Sequence, residues 1–285
     1  MYSIVTAYKR QKCIRGFCNV NQYEHTNTIM NRWEGKVAVV TGSASGIGKA
    51  ITCALLERKI IVVGLDIQNE EDTKTADNTN NKRNGYYPLR CDVTREDEVD
   101  DAFLFVEEKL HGVDIMVNNA GVIDYRRIIE SDRKTFEKLL NINVLAVAVC
   151  INRAVRSMRK KNVEGHVFNI NSMVGHAIPA GHPCDEEGSN GWNLYPATKH
   201  ASVAITETVR HELRAVEAPI RITSICPGIV KTEIASNNAG VVKAVYSNPT
   251  LLPEDIADAL IYALGTRPEV QIAEMVIQIR GEKWY

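Results

Sequence analysis

The chain has 285 residues, of which 45% are hydrophobic and 24% are charged, as in an ordinary globular protein. Its 34 Lys and Arg residues balance 35 Asp and Glu residues, and the net charge of −1 argues against a protein that binds nucleic acid or membranes mainly through charge. No run of about eighteen apolar residues occurs, so we expect no stable membrane insertion.

Residues 1–32 are predicted to be an N-terminal extension and residues 33–285 to be one domain. The extension carries four basic residues before its first acidic one: Lys9, Arg10, Lys12 and Arg15. A mitochondrial presequence has this composition, whereas an extension without fixed structure, ahead of a second start at Met30, is the simpler interpretation. The seven cysteines are scattered without a CxxC motif, which indicates a reducing compartment and no metal site. We expect a cytoplasmic protein, or a mitochondrial one if residues 1–29 act as a presequence.

From residue 36 onward, strand and helix patterns alternate along the chain. The predicted strands are Val37–Val40, Ile60–Leu65, Tyr86–Cys91, Val113–Asn118, His166–Asn171, Ile220–Cys226 and Met275–Ile279. The predicted helices are Ile47–Arg58, Arg95–Leu110 with Thr94 as its cap, Thr135–Lys160, Leu194–Val216 and Leu251–Leu264. Residues 68–84 are polar and are expected to form a solvated helix and loop. Such alternation forces parallel pairing, so we predict a single α/β domain: a Rossmann-like, doubly wound parallel sheet of seven strands with helices on both faces.

A glycine-rich turn, TGSASGIG at residues 41–48, joins the first predicted strand to the first helix. Gly42 permits a tight turn, Gly46 lets the backbone approach a pyrophosphate, and Gly48 lets the helix pack closely on the strand. The amide groups and the dipole at the helix start attract phosphates, so Ser45 and Ile47 are also predicted to bind the cofactor. A loop without a ligand is the alternative, but the strand–turn–helix context favours a dinucleotide.

Asp66 lies at the end of the second predicted strand, eighteen residues after Gly48. An acidic side chain in this place accepts hydrogen bonds from the ribose hydroxyls of adenosine. A 2′-phosphate would meet like charge, and no Arg or Lys stands at 43–45 or 65–68. We therefore predict NAD(H) as the cofactor, with NADP(H) as the alternative. Asp66 could instead cap a turn, and Lys49 could still assist a phosphate.

The segment Tyr195-Pro196-Ala197-Thr198-Lys199 places a tyrosine and a lysine four residues apart, on one face of a helix. A tyrosine with a pKa of about 10 is a poor base at neutral pH, and lowering it by about three units needs roughly 4 kcal/mol. One ammonium about 4 Å away supplies about that much at an effective dielectric constant near 20. Ser172, at the end of the fifth strand, can hold the substrate oxygen. A surface Tyr and Lys on one helix are the alternative.

Small and amide residues follow the fourth strand, where Asn118-Asn119-Ala120-Gly121 leaves room for adenosine and can tie neighbouring strand ends. Asn143 lies in an apolar helical run, and a buried amide without partners would cost about 1–3 kcal/mol. Bending the helix to hold a water chain behind Lys199 would give Asn143 a role. A simple polar contact or a helix cap is the alternative.

These motifs, with a Pro-Gly pair after the sixth strand, occur in the order of the short-chain dehydrogenase/reductases, which the chain resembles over about residues 33–280. Stretches such as NINVLAVAVC at 141–150 and PEDIADALIYAL at 253–264 resemble its farnesol dehydrogenase-like members. The resemblance implies that Tyr195 is the general acid/base, Lys199 modifies its pKa and anchors a ribose, Ser172 orients the substrate, and Asn143 supports the proton relay. It also implies further cofactor contacts: Asp92 with Val93 at the adenine, Asn119 with Ala120 and Gly121 near the adenosine ribose, and Pro227, Gly228, Ile229 and Thr232 near the nicotinamide amide.

Two features depart from these relatives. Asp66 stands where they commonly carry basic residues and use NADP(H), and the 23 residues from Ser172 to Tyr195 exceed the usual spacing. The loop at residues 177–193 is expected at the pocket mouth, and His176 and His182 are interpreted as loop or rim residues rather than catalytic groups.

The segment after Thr232 is rich in small and apolar residues and is expected to cover the substrate pocket. The residues proposed to line it are Ile234, Val241, Val242, Val245, Tyr246, Leu251 and Leu252, although packing against the following helix is the alternative. We expect a lipophilic alcohol or ketone substrate, either a terpenoid such as farnesol or a steroid-like compound. Two alternatives are an NADP-dependent carbonyl or ketosteroid reductase and a non-catalytic dinucleotide-binding sensor or scaffold. By family analogy, helices 135–160 and 194–216 would form a homodimer or homotetramer.

Overall fold

The structure, a computed structural model, describes residues 30–68, 85–179, 190–235, 239–247 and 249–282. Several predictions made above lie outside these residues. They are the character of residues 1–29, the polar helix and loop at 69–84, and the placement of His182 with residues 180–189 of the predicted loop.

Seven described strands form one sheet in which every neighbouring pair is parallel. In chain order the strands are β1 Val37–Thr41, β2 Ile61–Asp66, β3 Tyr86–Arg90, β4 Ile115–Asn118, β5 Gly165–Ile170, β6 Ile220–Pro227 and β7 Glu274–Ile277. Their order across the sheet is β3-β2-β1-β4-β5-β6-β7. The predicted seven-stranded, doubly wound Rossmann-like sheet is therefore confirmed.

Helices cover both faces of this sheet. They are α1 Gly46–Leu56, α2 Glu96–Leu110, α3 Arg133–Leu140, α4 Ala146–Lys161, α5 Tyr195–Ala215, α6 Ala239–Tyr246 and α7 Pro253–Leu264. One core cluster lies between the sheet and α2, α4 and α5, and includes Phe103 and Ile151. The other lies between the sheet and α1 and α7, and includes Ile51 and Leu260. Because both faces are covered, the strand patterns are continuous apolar runs rather than alternating ones.

Two predicted helical features are corrected by the structure, and one helix was not predicted. The single helix expected over Thr135–Lys160 is divided into α3 and α4 by a π-helical turn, Asn141–Leu145. Thr94 does not cap α2, because its hydroxyl bonds Asp92 Oδ1 at 2.7 Å and Arg95 takes the cap position without a side-chain cap bond. Helix α6 was not predicted, since its segment was interpreted only as a cover for the pocket.

Residues 133–161, from α3 through α4, form the one helix in the described ranges that is long and apolar enough to cross a membrane, because an 18-residue window within it has a mean hydropathy of 1.5. No uninterrupted apolar run marks it in the sequence, because charged residues near its C-terminal end break the pattern. In this fold the helix packs on the sheet through Val147, Ile151 and Met158. Leu140 and Leu145 stay exposed on its other side.

The chain reverses the direction of sheet growth between β1 and β4. In doubly wound sheets the crossovers on either side of such a switch point diverge and leave a crevice beyond the carboxyl ends of the strands. The glycine-rich turn follows β1, the Asn118–Gly121 segment follows β4, and Ser172 comes two residues after β5. The topology thus brings the sequence-predicted site residues to one edge of the sheet.

Candidate active site

The glycine-rich turn has a backbone that only glycine accommodates. Gly42 and Gly46 adopt φ values of +64° and +49°, a region that costs other residues roughly 1–2 kcal/mol. A Cβ on Gly48 would overlap the carbonyl oxygen of Gly42 and the Nδ2 atom of Asn119. Ser45 precedes α1 in extended backbone and makes no side-chain cap bond. The first amide groups of α1, from Gly46 and Ile47 onward, can therefore serve a phosphate.

Thr41 and Asn119 hold this turn in place. Asn119 Nδ2 donates to the carbonyl oxygens of Thr41 and Gly42 at 2.9 and 3.0 Å. The Thr41 hydroxyl oxygen accepts the backbone N–H groups of Asn119 and Ala120, both at 3.0 Å. The described bonds of Asn119 thus position the turn, and its contact with an adenosine ribose stays a prediction. The role of Thr41 was missed, although its place beside Gly42 was a signal.

Asp66 lies beside the turn, as expected. Its Oδ2 atom accepts the N–H of Ala44 at 3.0 Å, and its Oδ1 atom accepts the N–H of Gln68 at 3.1 Å. The sheet also pairs Asp66 with Arg90 on β3, a basic neighbour that sequence reasoning missed because it is distant along the chain. Arg90 itself lies 3.7 Å from Glu98. The carboxylate is therefore the acidic group nearest the backbone of the glycine-rich turn.

The residues predicted for the adenine and its ribose lie on either side of the β1–β4 crevice. Asp92 Oδ1 accepts the N–H and the hydroxyl of Thr94 at 2.9 and 2.7 Å, which fixes this carboxylate just after β3. Val93 and Ala120 line a small cavity together with Thr41 and Asn118. The structure therefore brings the β3 and β4 ends together, while the base contact of Asp92 stays a prediction.

Buried amides tie the strand ends beneath this crevice, as the sequence suggested. Asn118 Nδ2 donates to Asn169 Oδ1 at 2.8 Å, which joins β4 to β5. Asn169 in turn donates to the Thr206 hydroxyl at 2.7 Å, which joins β5 to α5. A fully paired polar chain in the interior holds its members in one arrangement. Helix α5 is thereby held against the edge that carries the candidate catalytic residues.

Ser172, Tyr195 and Lys199 meet at the start of α5. Ser172 is near enough to the Tyr195 phenol to lower its pKa, and the Ser172 oxygen accepts the N–H of Val174 at 3.3 Å. Lys199 Nζ lies 5.6 Å from the centre of the Tyr195 ring and donates to the Ile170 carbonyl at 3.0 Å. The helical spacing thus brings the phenol and the ammonium together, with the serine on the phenol's other side.

The pKa values of this pair differ from the expectation. Burial raises the pKa of Tyr195 to about 12, and the hydrogen bond with Ser172 offsets this only in part. Burial also lowers the pKa of Lys199 to about 8, opposed by the nearby Cys226. The expected lowering of the Tyr195 pKa by Lys199 is not found, because the ammonium lies against the ring and burial disfavours a charged phenolate. These residues alone therefore keep Tyr195 protonated at neutral pH.

Asn143 lies in the π-helical turn and is fully paired. Its Oδ1 atom accepts the N–H of Val122 at 2.9 Å, and its Nδ2 atom donates to the Val122 carbonyl at 2.9 Å and to the Thr198 hydroxyl at 3.1 Å. Thr198 donates to the Tyr195 carbonyl at 2.7 Å. A π-helical turn occurs at this place, and the expected bend in the helix stays a prediction. The amide links the segment after Gly121 to the start of α5, and its part in a proton relay stays a prediction.

The turn after β6 faces the glycine-rich turn across the cleft. A Cβ on Gly46 would lie 3.1 Å from the Thr232 methyl group, so Thr232 lies over that glycine. A Cβ on Gly228, which follows Pro227, would overlap the carboxylate of Glu282, and that carboxylate accepts the Ile229 N–H at 3.1 Å. Burial raises the pKa of Glu282. Sequence reasoning missed this glutamate, which lies outside every recognised motif.

The apolar residues expected to line a substrate pocket differ in their surroundings. Val241 is buried and packs with Tyr125, Ile229 and Val242. Leu251, in contrast, belongs to the core under α7, so packing rather than lining the pocket accounts for it. Ile234 and Leu252 are about half exposed, and the side chains of Val245 and Tyr246 lie outside the described residues.

Comparisons with known proteins agree with this geometry. The family model of short chain dehydrogenases matches residues 36–241. A farnesol dehydrogenase from Aedes aegypti is 40% identical over 257 residues, which cover 90% of this chain and 100% of the relative. A dehydrogenase/reductase SDR family member 11 from Bos taurus is 37% identical over 259 residues, covering 88% of this chain and 98% of the relative.

Among solved structures, the closed form of a serine dehydrogenase complexed with NADP+ matches with a TM-score of 0.74. It is 22% identical, and the match covers 87% of this chain and 96% of that one. At this identity the likeness concerns the fold alone. The family model covers more than half of the chain and both relatives exceed 30% identity. The chain therefore belongs to the short-chain dehydrogenase/reductase family of oxidoreductases.

Proposed function

We propose that the protein transfers a hydride between NAD(H) and a lipophilic alcohol or carbonyl compound, with Tyr195 as the general acid/base. The observation that carries this proposal is the meeting of Ser172, Tyr195 and Lys199, in which Ser172 is near enough to lower the pKa of the Tyr195 phenol and the buried Lys199 Nζ lies 5.6 Å from the centre of the Tyr195 ring. Two hydroxyl groups so close together can both reach one substrate oxygen, which is the arrangement that proton transfer to or from that oxygen needs.

The residues around the cleft fit a dinucleotide. Helix α1 begins so close to the glycine-rich turn that a Cβ on Gly48 would overlap the carbonyl oxygen of Gly42. No side chain caps the first N–H groups of α1, so they can bind a phosphate. Thr232 bounds the opposite side. When bound, the nicotinamide supplies or accepts the hydride, and all other steps are carried out by side chains of the protein.

In the reductive direction, Ser172 donates a hydrogen bond to the carbonyl oxygen and Tyr195 gives it a proton as the carbon receives the hydride. The raised pKa of Tyr195 suits this role, since the phenol is protonated at neutral pH. The interaction with Ser172, which lowers the pKa of Tyr195, favours the phenolate left behind. In the oxidative direction the same phenol must first lose its proton, so additional positive charge near the ring favours that direction.

We propose NAD(H) as the preferred cofactor because of Asp66. Its carboxylate is held next to the glycine-rich turn by the N–H of Ala44, where a ribose hydroxyl can donate to it and a 2′-phosphate would be repelled. An NADP-dependent carbonyl or ketosteroid reductase is the alternative, and Arg90 on the neighbouring strand is the observation that favours it.

A lipophilic substrate is supported by the apolar and aromatic residues beside the turn after β6. Ile229, Val241 and Val242 pack with Tyr125, and the Trp192 ring lies 6.0 Å from that of Tyr125 just before α5. Sites for small molecules are mostly apolar with a few placed polar groups. The farnesol dehydrogenase relative suggests a terpenoid alcohol, and steroid-like ketones are a second class to test.

Tyr195→Phe tests the catalytic part of this proposal, with the exposed Tyr262→Phe as a matched control. We expect the Tyr195 variant to lose about 10²–10⁴-fold in turnover while it retains dinucleotide binding. The measurement is absorbance of the reduced nicotinamide with both cofactors against terpenoid, steroid and sugar substrates. Turnover retained in the Tyr195 variant would contradict its role. Cofactor binding without turnover on any substrate would favour the non-catalytic sensor or scaffold.

We also propose that the protein is cytoplasmic and forms a homodimer or homotetramer through α4 and α5. Leu140, at the end of α3, and Leu145, in the π-helical turn before α4, are exposed apolar residues, and they support a subunit contact at the N-terminal end of α4. Leu145→Asp should shift the molecular mass measured by light scattering toward the monomer, whereas Leu104→Asp on α2 serves as a control. An unchanged mass in the Leu145 variant would remove this helix from the interface.

A further inference from the structure

Three side chains with different metal-binding atoms meet close to Lys199. His176 follows the short helical turn Met173–Gly175, Cys226 lies near the end of β6, and Glu274 begins the edge strand β7. Their ligand atoms all lie within 4.8 Å of one another. Cysteine spacing gave no sign of this group, because the three residues lie 48 to 98 positions apart along the chain.

We propose that His176, Cys226 and Glu274 form a binding site for a divalent cation of the zinc class. A nitrogen, a sulfur and an oxygen ligand suit Zn²⁺, which accepts all three and needs three protein ligands when a water takes the fourth position. One thiolate and one carboxylate would balance the charge of the cation. Binding releases the thiol proton to solvent, and no electron moves.

One of the three distances between ligand atoms matches what a tetrahedral ion requires. Zinc bonds of about 2.0–2.3 Å place neighbouring ligand atoms roughly 3.3–3.8 Å apart. The distance from Cys226 Sγ to His176 Nε2 is 3.7 Å. Cys226 Sγ lies 2.8 Å from Glu274 Oε1, and the same carboxylate oxygen is hydrogen-bonded to His176. These two contacts are hydrogen bonds, and a bound ion would require the Glu274 carboxylate to move away from the other two ligand atoms.

The surroundings allow an ion to enter and hold the sulfur in place. Cys226 is fully buried, whereas the side chains of His176 and Glu274 are 38% and 33% exposed and open the site to solvent. Ser224 Oγ lies 3.2 Å from the sulfur and can orient it from behind. A bound ion would link the segment after Ser172 to β6 and β7, next to the turn after β6 that begins at Pro227.

The test uses the full-length protein, freed of metal, and its titration with Zn²⁺ by calorimetry in competition with a chelator. We expect one ion per chain. Its affinity should fall at least about 100-fold after His176→Asn or Glu274→Gln, because each change removes one of the three protein ligands of the ion. The matched control is His211→Asn, because His211 pairs with Glu207 at 3.1 Å on the surface. That variant should bind as the wild type does.

Thiolate ligation is tested with Co²⁺, which gives a thiolate charge-transfer absorption band in the near ultraviolet. The band should persist when four of the six cysteines outside the site are replaced together, by Cys13→Ser, Cys18→Ser, Cys53→Ser and Cys184→Ser, with the buried Cys91 and Cys150 retained. It should vanish in Cys226→Ser. If Cys226→Ser fails to fold, the two exposed ligands decide the matter. Zn²⁺ affinity unchanged in His176→Asn and Glu274→Gln, or equal losses in the His211 control, would overturn the proposal.

Discussion

The two ends of the cleft are built in different ways. The end at the glycine-rich turn is made of backbone, held by Thr41 and Asn119 through four hydrogen bonds. The end at Tyr195 is made of side chains from the segment after β5, from α5 and from the turn after β6. Burial sets the pKa values of its Tyr195 and Lys199 side chains. The comparison teaches that a local motif can specify a binding surface, whereas the pKa values of a reacting group depend on the whole fold.

Gly48→Ala should break the backbone-built end with the largest effect. The new methyl group would overlap the Gly42 carbonyl oxygen, and overpacking of this kind costs about 1–3 kcal/mol or more. We expect a lower free energy of unfolding in urea and a loss of dinucleotide binding. Gly121→Ala is the control for stability, because its Cβ would meet nothing closer than 3.6 Å. Equal stability of the two variants would show that the turn can relax.

The side-chain end can be followed through the pH dependence of stability. Lys199 has its pKa lowered from 10.5 to about 8 in the folded protein. Between these pH values the unfolded chain binds a proton that the folded chain has lost, so this group makes the protein more stable as pH rises. The full effect is roughly 3 kcal/mol.

Comparison with Lys199→Met isolates this contribution. Burial also raises the pKa values of Cys91 and Cys150 to about 12, and these two thiols, whose pKa values do not depend on Lys199, lower stability above pH 9 in both proteins. The stability of the wild type relative to the variant, from urea unfolding at pH 7 to 10, should therefore rise with pH. A flat difference would mean that Lys199 is not desolvated as the structure indicates.

Asp66→Asn is the mildest change and sharpens the cofactor preference. Removing the charge weakens hydrogen bonds from ribose hydroxyls, each worth about 1.5–3 kcal/mol when one partner is charged. We expect KM for NAD+ to rise about tenfold or more, while KM for NADP+ falls because repulsion of its 2′-phosphate is relieved. Asp258→Asn, on the exposed surface of α7, provides the control for an unspecific charge effect. A wild type that already prefers NADP+ would point to Arg90 instead.

The fold and most of the site's composition could be predicted from the sequence, since both rest on local patterns. Continuous apolar runs alternating with amphipathic segments predict the parallel sheet, and the glycines predict the turn they form. The partners of Asn143 and the carboxylate at Gly228 could not be predicted, because Val122, Thr198 and Glu282 reach them only through tertiary packing. The direction of the Tyr195 pKa shift was wrong for the same reason, since desolvation is not visible in a spacing.

The π-helical turn at Asn141–Leu145 also sets the angular phase between α3 and α4. Each residue of an α-helix advances the side chains by about 100°, and a π-helical turn holds one residue more than an α-helical one. Asn143 can therefore face Val122 while the stripe of Val147, Ile151 and Met158 still faces the sheet. Deleting a single residue here would rotate one of these two surfaces out of contact, so the length of this segment is constrained as tightly as its chemistry.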